Sequence, residues 1–292
     1  MASLKEIKGR IGSVKSTQKI TSAMKMVASA KLRKAQYQIE RFLPYQERLS
    51  SILDNFLAAD TEFSTPLSVE SPVQSVAIVV FSSNSTLCGA FNSNIIKLLS
   101  GALSRYAHLP DSNLFIYPVG KKIEEAVTKA GIKPQGSYIK LMDKPEYEGA
   151  RAIADMLIAD FLSKKIDKVE LIYNHFKSTG IQVPTVETFL PLALSQINNK
   201  TDKTAIAIDY IVEPDRETAV SMLITKSLRS KIYAVLLDSA AAEHAARTVA
   251  MQIATDNADE ILDELTIQFN KQRQQAITNE LLDIIGGSEA LK

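Results

Sequence analysis

The sequence predicts an α/β fold: a long antiparallel coiled coil of the N- and C-terminal helices plus a central Rossmann-like α/β domain. Three observations carry this. Helix breakers are confined: all ten prolines lie between Pro44 and Pro214, and no glycine falls between residues 13 and 88 or between 181 and 285. The two ends carry opposite charge, and the middle third alternates strand-like with helix-like segments.

At the N-terminus, Leu4, Ile7, Ile11 and Val14 step 3, 4, 3, and after a slip Ile20, Met24 and Val27 step 4, 3. This predicts a helix from Leu4 to Phe42, about 60 Å long, with Pro44 marking a kink or the end of its first segment. Gly9 and Gly12 each cost it up to about 1 kcal/mol relative to alanine. At the other end, the 71 positions from Asp215 to Ile285 contain neither glycine nor proline, so no local signal stops a helix of roughly 100 Å. A compact chain of 292 residues has a radius of gyration of only about 19 Å, so such a helix must lie against a second surface. Leu228, Ile232, Val235, Ser239, Ala242, Ala246, Val249 and Ile253 step 4, 3, 4, 3, 4, 3, 4, which is a coiled-coil seam. Beyond it the stripe drifts to Ile261, Leu265 and Phe269 and resumes as Ile277, Leu281 and Ile284.

Charge ties the ends together. Residues 1 to 48 hold eleven Lys or Arg against three acids, a balance of +8, whereas residues 237 to 292 hold ten acids against four bases, a balance of −6. An antiparallel pair cancels both charges and covers both apolar stripes. The expected organisation is 1–58, N-terminal coiled-coil helix; 59–214, central α/β foot domain; 215–292, long C-terminal coiled-coil helix.

In the middle, Val76 to Phe81 is a β-rich apolar run, and Ile95, Leu98, Leu99 and Leu103 mark an amphipathic helix before the run Leu114-Phe-Ile-Tyr. Lys122 to Ala130 and Gly149 to Leu162 read as helices. Lys168 to Phe176, Val183 to Leu190 and Ala205 to Val212 read as strands, the last ones at an antiparallel edge, and residues 195 to 204 read as a connector.

Composition excludes several function classes. With 46% hydrophobic and 23% charged residues and a net charge of +1, the chain is ordinary globular material with no overall bias toward nucleic acid or an anionic membrane. The longest apolar stretch is far below the ~20 residues that span a bilayer, and Met-Ala-Ser-Leu-Lys-Glu has no apolar signal region, so a soluble, cytoplasm-facing protein is expected. Cys88 stands alone, and His108, His175 and His244 are isolated, leaving no disulfide or zinc spacing. The loop Ser82 to Asn92 holds one glycine where a dinucleotide fingerprint needs three, there is no GxxxxGK[ST] segment, and Gly120-Lys-Lys122 does not replace it. A Cys88 nucleophile lacks a partnered histidine, and a lone cysteine is more often buried packing. Lys15, Lys19, Lys25, Lys31, Arg33 and Lys34 admit an alternative, a nucleic-acid-associated coiled-coil protein with a basic N-terminal helix. Against it, no stacking aromatics lie among them, and the acidic partner helix would repel phosphate. A plain solvated helix face is the remaining reading of these lysines.

The terminal motifs then narrow the choice. Gln18-Lys-Ile-Thr-Ser-Ala-Met-Lys-Met-Val-Ala28, running on through Lys31-Leu-Arg-Lys-Ala35, closely resembles the opening signature of the gamma subunit of rotary F-type ATP synthases. Arg273-Gln-Gln-Ala-Ile-Thr-Asn-Glu-Leu-Leu-Asp-Ile-Ile-Gly-Gly287 resembles that family's C-terminal signature, preceded by Ala250-Met251, Ala254-Thr255 and Asn257-Ala258, and Leu87-Cys-Gly-Ala-Phe-Asn92 its central element. Two departures stand out. The Ser-Asp-Arg-Gly usual before Leu-Cys-Gly is here Ser83, Asn84, Ser85 and Thr86, and the small apolar C-terminal run is broken by Ser288 and Glu289.

The resemblance implies a non-catalytic central rotor shaft that transmits torque between a membrane ion-translocating ring and a hexamer of alternating alpha and beta subunits, coupling ion (proton) transport to ATP synthesis or hydrolysis. It implies as partners the alpha and beta subunits, the epsilon subunit and the membrane c-ring, with no nucleic acid, no cofactor, no catalytic residue and no metal. Its place would be peripheral, on the cytoplasmic face of a bacterial-type inner membrane. It further implies hexamer contacts at Met24, Lys25, Arg247, Arg273, Gln274, Thr278 and Glu280, and an apolar bearing of Ile277, Leu281, Ile284, Ile285 and Leu291.

Overall fold

A computed structural model describes residues 3–58, 65–69, 71–192, 212–213 and 215–289. The expected strand Ala205 to Val212 falls almost wholly outside these, as do the connector 195–204 and the bearing residue Leu291. The elements are α1 (Leu4–Ala58), β1 (Val76–Phe81), α2 (Phe91–Arg105), β2 (Leu114–Val119), α3 (Lys121–Lys129), α4 (Ile139–Asp143), α5 (Tyr147–Leu162), β3 (Lys168–Ser178), β4 (Ile181–Leu190) and α6 (Arg216–Glu289). The chain divides into two compact units, Met1–Ala28 with Thr248–Lys292, and Ser29–Arg247.

In the Ser29–Arg247 unit the strands form one sheet in the order β2-β1-β3-β4, with β1 parallel to both neighbours and β3 antiparallel to β4. The predicted antiparallel edge is therefore β4. All six residues of β1 are buried because the sheet is covered on both faces. Ala77, Val79 and Phe81 face a core shared with α5 and with Leu53, Leu228, Ile232 and Val235 of the long helices, while Val76, Ile78 and Val80 face α2 and α3. Burying each of the larger side chains contributes about 1.5–3 kcal/mol. On α2 the buried residues are Phe91, Ile95, Leu99 and Ala102, the 3.6-residue period read from the sequence. The short α4 has no counterpart in the sequence reading; five residues are too few to show a helical period.

The long helices refine or depart from expectation in three ways. First, α1 runs through Pro44 to Ala58, so of the two readings of Pro44 the end of a segment drops out, and the helix has the length expected for 1–58. Pro44 and Glu40 are both solvent-exposed, so the carbonyl deprived of its intrahelical donor lies on a face open to water. Second, the predicted slip after Val14 is absent. Within the Met1–Ala28 unit the covered positions Leu4, Ile7, Ile11, Val14, Gln18, Thr21, Lys25 and Ala28 keep an unbroken 3, 4 alternation, whereas Ile20 and Val27 are 60% and 58% exposed. The seam passes through polar residues there, and an apolar search jumped to the wrong face. Third, Ile253 and Ile261 lie outside the seam of α6, which instead runs Met251, Thr255, Ala258, Leu262, Leu265, Phe269. In the Ser29–Arg247 unit the predicted seam residues Ala242 and Ala246 pack on Cys88 and Phe91, while the adjacent Ala241 and Ala245 take Leu32 and Ala35 of α1. Alanines on both sides of α6 let it approach two elements at once.

Gly120, between β2 and α3, has φ 114°, and a Cβ there would lie 2.2 Å from the Ser82 carbonyl oxygen. Gly120→Ala is expected to cost about 1–3 kcal/mol or more. Gly9 and Gly12 have nothing within 4 Å of the corresponding position, so Gly9→Ala and Gly12→Ala should each gain up to about 1 kcal/mol. Urea unfolding of the three variants checks both signs.

Candidate functional site

The residues implicated from sequence fall on α1 and α6, and each unit is built separately. In the Met1–Ala28 with Thr248–Lys292 unit, the two helices run antiparallel, and between the apolar seam residues Ile7 and Leu265 at one end and Ala28 and Met251 at the other their contact includes polar pairs. Gln18 Nε2 donates to Asp259 Oδ1 at 2.9 Å, Thr21 and Thr255 join hydroxyls at 2.9 Å in a buried position, and Lys25 Nζ donates to Gln252 Oε1 at 2.7 Å. Gln252 in turn donates to Asp256 Oδ1 at 2.6 Å. Among the described residues no ion pair joins α1 to α6 in this unit, so the opposite charges of the two ends act over longer range than contact pairs.

Of the predicted contacts in this unit, Met24 and Lys25 are half-buried, the latter through its bond to Gln252. Arg273, Gln274, Thr278 and Glu280 are exposed, and the Thr278 hydroxyl returns to the Gln274 carbonyl at 2.9 Å, a local helix bond. Ile277, Leu281, Ile284 and Ile285 are 49% to 68% exposed among the described residues, an apolar surface on α6. The exposed Ile20, Met26 and Val27 add apolar surface on α1 that sequence reading assigned to the seam or passed over. Only the burial pattern, not composition, separates them.

Arg247 is placed differently. It belongs to the Ser29–Arg247 unit, is 8% exposed, and its guanidinium is engaged inside the chain. Nη2 donates to Glu243 Oε1 and to Ser85 Oγ, both at 2.8 Å, and Nη1 donates to the Thr86 carbonyl. The loop after β1 is thereby tied to α6. Within that loop Asn92 donates to Ser83 Oγ at 2.8 Å and to Cys88 Sγ at 3.2 Å, and Ser83 N–H donates to Asn92 Oδ1 at 3.1 Å. Asn84, in the loop stretch that departs from the resembled motif, donates to the Ile139 carbonyl and accepts from the Lys121 amide, both at 2.9 Å. The substituted residues Asn84, Ser85 and Thr86 therefore hold partners of their own. The crest of the parallel strands, where an α/β sheet offers a ligand crevice, is filled here by Ser83, Cys88, Asn92 and Arg247. Burial pushes the Cys88 thiol pKa up, with the hydrogen bond to Ser83 opposing, which disfavours the thiolate.

Burial also raises the Glu243 carboxyl above the usual carboxylate range, partly offset by Arg247 and Lys31. Burial, with the cations Lys31 and Arg247 nearby, lowers His244 to about 4.

The comparisons with known proteins can be set against this geometry. The ATP-synt family model, described as ATP synthase, matches residues 3–291. The ATP synthase gamma chain of Bacteroides fragilis is 59% identical over 290 residues, covering 99% of this chain and all of the relative, and that of Flavobacterium johnsoniae is 45% identical over 292 residues, covering 100% and 99%. Among solved structures, the Tetrahymena thermophila mitochondrial ATP synthase central stalk/c-ring contains a chain 26% identical, with TM-score 0.60 over 80% of this chain and 99% of that one. A chain of the Euglena gracilis mitochondrial ATP synthase OSCP/F1/c-ring, 20% identical with TM-score 0.66 over 99% and 94%, shares the fold. Long terminal helices around a small mixed sheet thus define the class: a non-catalytic central-stalk subunit of a rotary machine. The chain belongs to the ATP synthase gamma-chain family. That assignment replaces the nucleic-acid reading of the basic helix.

Arg247→Ala leaves the Glu243 carboxylate buried without its cation and should destabilise the chain by roughly 3–5 kcal/mol, with Glu243→Gln in the same background recovering part of it; denaturant unfolding measures both. His244 supplies a pH test. Its folded pKa lies below the ordinary value, so its contribution is complete above about pH 6.5 and fades as pH falls toward 4, by roughly 3 kcal/mol in all. Glu243, with a raised folded pKa, acts in the opposite direction and is common to both proteins. The stability difference between wild type and His244→Gln should therefore shift by that amount between pH 7 and pH 4.

Proposed function

We propose that this central rotor shaft meets the alternating alpha and beta subunits through the exposed polar side chains Arg273, Gln274, Thr278 and Glu280, and through Met24 and Lys25, and that Ile277, Leu281, Ile284, Ile285 and Leu291 form its apolar bearing. The observation that supports this best is the pairing of two kinds of exposed side chain on one stretch of α6. Directional donors and acceptors at 273, 274, 278 and 280 are interleaved with an exposed apolar row at 277, 281, 284 and 285. Polar groups at defined positions make contacts that depend on angle, whereas apolar contacts are non-directional and let a surface slide. Arg247 stands apart: its guanidinium is held within the chain, so its part in the contact is indirect, through the loop it fastens.

In this reading the shaft presents a different face to each beta subunit in turn. Each catalytic site is biased toward a different conformation by differential contact free energy, and no bond is made or broken on the shaft itself. The epsilon subunit and the membrane c-ring are its other partners. Ion flow through the ring turns the α/β domain and its two long helices, and ATP hydrolysis drives the same cycle backward. The chain is a peripheral subunit, and no helix among the described residues is long and apolar enough to cross a membrane. Its bacterial relatives support a place on the cytoplasmic face of the inner membrane. The domain reading is retained: helix 1–58, foot 59–214, helix 215–292.

Affinity purification of the tagged chain from native membranes should recover an ATPase hexamer; recovery of the chain alone contradicts the reading. Replacing Arg273 and Gln274 together by alanine should lower coupled ATP synthesis roughly tenfold or more, the effect of losing charge-assisted hydrogen bonds. The melting temperature of the isolated chain should stay unchanged, because both side chains are exposed.

A further inference from the structure

We infer that, within the Ser29–Arg247 unit, the α/β elements grip α6 by polar ties on two opposite sides, and that these ties set the stiffness with which the foot turns the helix. The inference deepens the rotor-shaft reading and rests on it. Four side chains of α6 make the ties. Arg229 Nε donates to Asp155 Oδ1 of α5 at 2.6 Å, and Lys231 Nζ to Glu187 Oε1 of β4 at 2.8 Å. Asp238 accepts from the Phe176 amide at 2.9 Å and pairs with His175 Nδ1 at 2.7 Å, both on β3. Arg247 donates to Ser85 Oγ at 2.8 Å and to the Thr86 carbonyl, in the loop after β1.

Their spacing carries the argument. At about 100° per residue, Arg229 and Arg247 return to the same side of the helix, and Lys231 and Asp238 share a side roughly 180° away. The buried stripe Leu228, Ile232, Val235 and Ser239 lies between the two sides. Apolar packing keeps a helix's buried stripe toward the sheet but opposes a small roll about the helix axis only weakly, since its contacts are non-directional. A charge-assisted hydrogen bond has both a distance and an angle. With ties on both flanks, a roll of α6 in either direction stretches one pair while compressing the other. Partly exposed ion pairs such as Arg229–Asp155 and Lys231–Glu187 contribute little to folding stability, so stability alone gives no reason for setting them on opposite flanks of one helix. Resistance to rolling does.

The test uses the assembled complex, with the charge reversals Lys231→Glu and Glu187→Lys singly and together, and Arg229→Glu and Asp155→Arg likewise. One readout is the angular spread of a probe on the α/β domain while Glu280→Cys cross-links the end of α6 to the hexamer. The other is ions pumped per ATP hydrolysed. Each single reversal should widen the angular variance by about a third or more, as expected when one of four parallel ties is lost, and lower pumping per ATP. Each double reversal should return both toward wild type, and melting temperatures should barely move. Should a reversed chain fail to assemble, Lys231→Gln and Asp238→Asn are measured the same way with the same expectation. Unchanged spread in the single variants, or double variants no better than the singles, overturns the inference. A wild-type complex that hydrolyses ATP without pumping or turning would overturn the shaft reading instead.

Discussion

The structure depends on one constraint: two helices of 55 and 74 residues cannot bury their own apolar stripes. A lone helix in water gains little from its own hydrogen bonds, and most helical stability comes from packing one face against something else. In the Met1–Ala28 with Thr248–Lys292 unit that something is the other helix, antiparallel, across a seam that repeats every 3.5 residues. In the Ser29–Arg247 unit it is the other helix on one side and a sheet with its own helices on the other. The alanine-rich stretch Ala240 to Ala246 is where α6 serves both, since bulkier side chains on both sides would hold the neighbours apart.

The chemistry of the seam changes with its surroundings. Leu32, Ala35, Ala241 and Ala245 form an apolar joint in the Ser29–Arg247 unit. In the other unit Gln18, Thr21 and Lys25 meet Asp259, Thr255 and Gln252. Polar residues at seam positions lower stability and, in exchange, specify which residue faces which. The outward faces there carry Ile20, Met26, Val27 and, further along α6, Ile277, Leu281 and Ile284, so apolar surface faces outward even though Ile7, Ala28, Met251, Ala258 and Leu265 are buried within. A helix pair arranged in this way is suited to an apolar enclosure.

Much of this was legible in the sequence. The absence of glycine and proline announced α6, the β-rich apolar runs and the alternation of strand-like with helix-like segments located β1 to β4 and α2, α3 and α5, and the terminal motifs pointed to the family. What was not legible has physical reasons. The seam of α1 was lost at Gln18 because hydrophobic periodicity cannot see a polar residue that is buried by pairing. The seam of α6 was misplaced at Ile253 because two adjacent faces are both buried around Ala241 and Ala242, and a single-stripe reading follows only one. Arg247 was read as an outward contact because a motif match gives a residue's identity and not its direction; its engagement with Thr86 and Ser85 joins positions 161 and 162 residues apart. The ties at Arg229, Lys231 and Asp238 had no sequence signal, since each needs a partner supplied by the fold.

Rotation of the shaft is the central claim, and a thiol probe on Lys97→Cys, an exposed position of α2, tests it most directly. The native Cys88 is buried and leaves the new thiol as the reactive one. With the hexamer immobilised, addition of ATP should turn the probe continuously in one direction. Sustained ATP hydrolysis beneath a stationary probe would contradict the account.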